Sequence, residues 1–88
     1  MISKTYTILA PEGMHARPAT AMVKLARQFQ SAIFLKYGEK ATRLNSLISI
    51  LSMGIGGGAT ILVEIEGEDE HAASSAFDTF FAANLKDW

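Results

Sequence analysis

His15 stands in the run Gly13-Met14-His15-Ala16-Arg17-Pro18-Ala19-Thr20, directly before a stretch with helical periodicity. A neutral imidazole nitrogen is nucleophilic near neutral pH, and the phosphoramidate it forms can pass its phosphoryl group onward. The start of a helix offers backbone N–H groups without intrahelical partners and partial positive charge. A phosphate carried on a histidine there is held by main-chain donors. Arg17 adds a permanent cation whose fork of donors suits phosphate oxygens. Pro18 fits the same place, because an N–H missing from the first helical turn costs little. Lone histidines at helix starts are also common as plain surface or capping residues, so the flanking sequence has to decide between the two readings.

Seven elements are expected to position these groups. Residues 2–9 alternate Ile2, Lys4, Tyr6 and Ile8 with Ser3, Thr5, Thr7 and Leu9, a period of two that predicts a half-buried strand ended by Pro11 and Gly13. From Ala16 to Phe29 the apolar positions Ala19, Met22, Val23, Ala26 and Phe29 recur at helical spacing, leaving Thr20, Lys24, Arg27 and Gln28 outside. Residues 32–37 and 40–44 read as a hairpin about Gly38-Glu39, its polar second strand suited to a sheet edge. Ser46 is a good N-cap for a short helix ending near Met53, with Gly54 as its stop. Ile50 and Met53 fall on one side of that helix and Leu47, Ile48 and Leu51 on another. Thr60 to Glu66 alternates as a strand, and acidic Glu68-Asp69-Glu70 opens a last helix with Ala73, Ala76, Phe77, Phe80 and Ala83 as its inner face. Helices with a mostly antiparallel sheet make an α+β class; pattern alone does not order the strands.

Eighty-eight residues, 49% of them hydrophobic, suit one domain over 1–88 with a single core. A net charge of −1 argues against a dedicated nucleic-acid binder, which normally shows a basic excess. The absence of cysteine excludes disulfides, thiolate zinc sites and redox pairs, and suits a reducing cytosol. The alternating N-terminus lacks the apolar block of a signal peptide, so a cytoplasmic protein is expected. Leu44 to Val63 carries no charge and is long enough to span a bilayer, but its serines and Gly54, Gly56, Gly57 and Gly58 oppose a continuous membrane helix; no membrane insertion is expected.

Gly13–Thr20 closely resembles the active-site signature of HPr, the histidine-containing phosphocarrier family of the bacterial phosphoenolpyruvate:sugar phosphotransferase system. Asn45-Ser46-Leu47-Ile48 and Met53-Gly54 fall where that family carries a second, serine-centred signature, so the resemblance spans essentially the whole chain. It implies an open-faced β-sandwich of order βαββαβα, in which a four-stranded antiparallel sheet is covered on one side by three helices. It further implies a phosphoryl group accepted on Nδ1 of His15 from phosphorylated enzyme I and passed to enzyme IIA components, with Arg17 as the neighbouring cation. Such a chain is a substrate of enzymes, needs no cofactor and is expected to act as a monomer. The matching serine of many Gram-positive relatives is phosphorylated by an HPr kinase, which makes Ser46 a candidate regulatory site; here Asn45 and Ser49 stand where those relatives carry lysine and glycine. The resemblance places Met14, Thr20, Lys24, Arg27, Leu47, Ile48 and Leu51 on the partner-binding surface.

Each of these has a plainer alternative. Ser46 can serve as a cap alone, and Leu47, Ile48 and Leu51 can be covered by a neighbouring loop rather than form a docking patch. An HPr-like adaptor that regulates by binding, outside sugar transport, is the main competing function. An autonomous histidine phosphatase lacks a recognisable further acid and arginine constellation. His71 has no second histidine or cysteine nearby to make a metal site. Gly54–Ala59 fits a loose dinucleotide glycine pattern but follows a helix and precedes a strand, the reverse of the required order.

Overall fold

The protein is described by a computed structural model covering residues 1–9 and 11–84. Its elements are β1 (Ile2–Thr7), α1 (Ala16–Ala26), β2 (Ala32–Tyr37), β3 (Lys40–Arg43), α2 (Leu47–Leu51), β4 (Thr60–Glu66) and α3 (Glu70–Asn84). All strand pairings are antiparallel and the sheet order is β1-β4-β2-β3. The hairpin strand β3 lies at an edge, as its polar composition predicts, and β1 forms the other edge.

Register explains why one face is covered. Ile2, Lys4 and Tyr6 oppose Ile65, Val63 and Ile61, while Ile33 and Leu35 of β2 oppose Ile65 and Val63. A period of two therefore gathers Ile33, Leu35, Ile61, Val63 and Ile65 on one face, where all five are buried. The helices supply Ala19, Met22, Val23 and Ala26 from α1, Ile50 from α2, and Ala73, Phe77 and Phe81 from α3. This is the open-faced α+β sandwich expected from the resemblance. Lys4 sits on the apolar stripe without being an error of pattern, because at the sheet edge its ammonium reaches Asp78 of α3 at 3.4 Å. Tyr6 donates its hydroxyl to the same carboxylate at 2.6 Å and stacks on Phe81 at 4.1 Å. Burial and the Asp78 carboxylate raise the Tyr6 pKa, so the phenol stays neutral and remains a donor.

The helix limits depart from the periodicity in two places. α1 ends at Ala26 rather than running to Phe29, because its last turn tightens: Gln28 and Phe29 donate to Leu25 and Ala26 in three-residue steps. Phe29 still packs against the core from the turn. In α3 the fully buried rings are Phe77 and, four residues on, Phe81, whereas Ala76 and Phe80 are only partly buried. The side chain of Ala83 lies outside the described residues. Asp69, expected only as part of the acidic opening of α3, also links the α1–β2 connection to the β4–α3 connection. Asp69 accepts from the Gln30 and Ser31 amides at 2.8 and 2.9 Å and from the Ser31 hydroxyl. The Ser31 hydroxyl bond, with those amides, lowers the pKa of Asp69. No helix among the described residues is long and apolar enough to cross a membrane.

Candidate functional site

His15 is the N-cap of α1. Its backbone is extended, with φ −101° and ψ −171°, and its carbonyl accepts the first helical bond from Ala19 at 3.2 Å. Its side chain makes no capping bond, so the ring is not spent on closing the helix start. Pro18 has no N–H, and the amides of Ala16 and Arg17 head the helix, where anions are favoured. No acidic residue occupies the first turn of α1. The His15 side chain keeps 32% of its surface exposed, and Nε2 lies 3.5 Å from the Glu12 carboxylate.

The loop that presents this ring is fastened to the segment after α2. Met14 donates its amide to the Ile55 carbonyl at 2.9 Å. Gly13, at φ +72°, passes so close to that segment that a Cβ would stand 2.4 Å from the Ile55 oxygen and 2.7 Å from Gly56 backbone carbons. Only glycine meets both conditions. Met14, expected on the partner surface, is 6% exposed and packs into the core of this chain, beside the hydrogen bond from its amide to Ile55.

Arg17, Thr20 and Lys24 recur at helical spacing and line one open groove of about 390 Å³ along α1 with Ala16 and Ala21. Arg27, the exposed C-cap, lines a separate depression of about 190 Å³ with Arg43 and Asn45. α1 therefore lines Arg17, Thr20 and Lys24 along one groove running from the turn that follows His15, and leaves Arg27 at its far end. α2 packs against α1. There Ser46 accepts from the Ser49 amide at 3.3 Å, the cap expected from its type. Ile48 is 77% and Leu51 39% exposed, Leu47 is half-buried against the core, and Ile50 is fully buried. A five-residue helix that buries only Ile50 leaves its other apolar face to solvent, so the exposed alternative holds for Ile48 and Leu51 and only in part for Leu47.

Two features of the site were not singled out from the sequence. The approach of Glu12 to the ring has a local signal, its spacing of three from His15; the junction of the Gly13 loop with Ile55 has none. Among the described residues no group of three histidine, cysteine or acidic side chains is arranged to hold a metal ion.

Four antiparallel strands under three helices, with a partly exposed histidine capping the first of them, make up the architecture of small phosphocarrier domains. The chain belongs to the HPr family: the family model described as the PTS HPr component phosphorylation site matches residues 2–83. Its structure is similar to that of a Mycoplasma histidine-containing phosphocarrier protein, at 28% identity and a TM-score of 0.89 over 99% of this chain and 100% of that one. It is similar to an HPr from Thermoanaerobacter tengcongensis at 30% identity and a TM-score of 0.89, over 97% and 96% of the two chains. An HPr from Bacillus anthracis aligns at 30% identity and a TM-score of 0.81, over 90% and 94%.

Proposed function

We propose that His15 accepts a phosphoryl group from phosphorylated enzyme I and donates it to enzyme IIA components, so that the chain is a carrier and a substrate of enzymes rather than a catalyst. The observation that carries this reading is the partly exposed imidazole at the head of α1, free of any capping bond and followed by Arg17. Phosphoryl transfer rests on positioning and electrostatics, so an acceptor needs only a placed nucleophile and fixed donors for the phosphate oxygens. The Ala16 and Arg17 amides and the Arg17 guanidinium are the donors in this reading. Ile48 and Leu51 form the apolar centre of the docking face, with Leu47 at its margin and Thr20 and Lys24 along the groove of α1 that Arg17 begins. Arg27 serves partners that reach the far end of α1. Ser46 is the regulatory position, where a phosphate would add about −2 charge to the docking face. The protein works as a cytoplasmic monomer.

The test is intact-mass analysis after incubation with enzyme I and phosphoenolpyruvate. The wild-type protein should gain one acid-labile phosphoryl group and folded His15→Ala none. Phosphorylation of the folded variant on another residue would remove His15 from the central role.

A further inference from the structure

The ring of His15 is not symmetric in its surroundings. Nε2 is shut off from solvent and has no hydrogen-bond partner, yet the side chain as a whole keeps about a third of its surface. The exposed part of the side chain therefore lies away from Nε2, and Nδ1 is the acceptor nitrogen that the resemblance to HPr implies. A buried ring nitrogen left without a partner is costly, and the acceptor nearest to hand is the Glu12 Oε2, 3.5 Å away. The Glu12 side chain is 76% exposed, so a rotation unhindered by packing turns that approach into a hydrogen bond. Among the described residues, positions 44–63, which include α2 and the segment fastened to Gly13 and Met14, carry no charged side chain, and Arg17 is a further charged group at the head of α1.

We propose that Glu12 is a positioning residue for His15. Its carboxylate accepts from Nε2–H, holds the neutral ring in the tautomer that leaves the lone pair on Nδ1, and offsets the charge the ring acquires on phosphorylation. This rests on the carrier reading of His15. In the transfer, the Nδ1 lone pair forms the new N–P bond while the N–P bond of the donor's phosphohistidine breaks and its electron pair returns to the donor ring. His15 keeps its Nε2 proton, so its ring becomes a phosphoimidazolium cation facing the Glu12 carboxylate. The same contact fixes a histidine tautomer wherever a carboxylate orients an imidazole. Across 3.5 Å at the dielectric constant of water, the attraction of carboxylate for ring cation corresponds to about 7-fold in rate.

Glu12→Ala and Glu12→Gln separate the two parts of the role, since the glutamine amide can still accept from Nε2–H but carries no charge. Imidazole ¹⁵N spectra of the unphosphorylated proteins should show the Nε2–H tautomer in wild type and Glu12→Gln and a mixture of tautomers in Glu12→Ala. Single-turnover phosphorylation by enzyme I and phosphoenolpyruvate should slow about 7-fold in Glu12→Gln and further in Glu12→Ala at saturating donor, with KM unchanged. Unaltered tautomers with wild-type rates, or a change confined to KM, would overturn the proposal. If wild-type His15 takes no phosphoryl group at all, the carrier reading falls, while the ¹⁵N spectra still judge the Glu12 contact by themselves.

Discussion

Replacing Gly13 by alanine tests whether the close approach of the His15 loop to the segment after α2 is what orients the His15 ring. Two costs meet at this residue. An L side chain at φ +72° carries about 1–2 kcal/mol of backbone strain. The added Cβ also lies 2.4 Å from the Ile55 carbonyl oxygen, a backbone atom that cannot rotate away. Forcing extra volume into a packed site costs about 1–3 kcal/mol more, so Gly13→Ala should lose about 2–5 kcal/mol in all. Gly54→Ala is the control: its φ is +67°, nearly the same, but a Cβ there meets nothing within 4 Å. It should lose only the backbone part, about 1–2 kcal/mol. Urea denaturation with a check that the m-value is unchanged measures both. The strained loop can relieve the clash only by moving off Ile55, which breaks the 2.9 Å bond from the Met14 amide and releases His15 from its place. Phosphorylation of Gly13→Ala by enzyme I should therefore slow even where the protein is folded, and that of Gly54→Ala should not. Equal destabilisation by the two substitutions, or a wild-type phosphorylation rate in Gly13→Ala, would refute the reasoning.

On α2, Ile48→Asp should change stability by no more than about 0.5 kcal/mol, because the side chain is 77% exposed, while weakening titration with enzyme I. Ile50→Ala, one turn face away and fully buried, should instead cost about 2–5 kcal/mol in a denaturant titration. Ser46→Ala removes the acceptor of the Ser49 amide and should lower stability by about 0.5–2 kcal/mol with transfer retained. Ser46→Asp keeps a cap but places charge on the docking face, so melting curves should hold while phosphotransfer falls. Because native Asp69 has a lowered pKa, its contribution is fully present above the unfolded carboxylate value near ~3.9 and is lost as pH falls through the native value. Melting of wild type and Asp69→Asn from neutral to acid pH should therefore show the gap between them narrowing below about pH 4; a gap independent of pH would remove the latch to Gln30 and Ser31.

The elements of this protein were legible along the chain because the signals are local. A period of two over Thr60–Glu66, helical spacing through Ala19, Met22, Val23 and Ala26, and a serine before Leu47 each depend on neighbours a few residues apart. The candidate site was legible for the same reason: His15, Arg17 and Pro18 lie within one turn of the helix they begin. Tertiary structure decided what depends on segments distant in sequence. Pairing of β1 with β4 sets the sheet order, and the stacking of Tyr6 on Phe81 is what makes Phe81, rather than Phe80, the ring that is buried. Contact of the Gly13 loop with Ile55 turns Met14 into the core and leaves the neighbouring imidazole partly exposed. Two apolar faces on a helix of five residues cannot both be covered when only one side meets the core, so packing buries Ile50 and exposes Ile48 and Leu51. Periodicity fixes which side chains share a face; only the long-range packing fixes which face meets water.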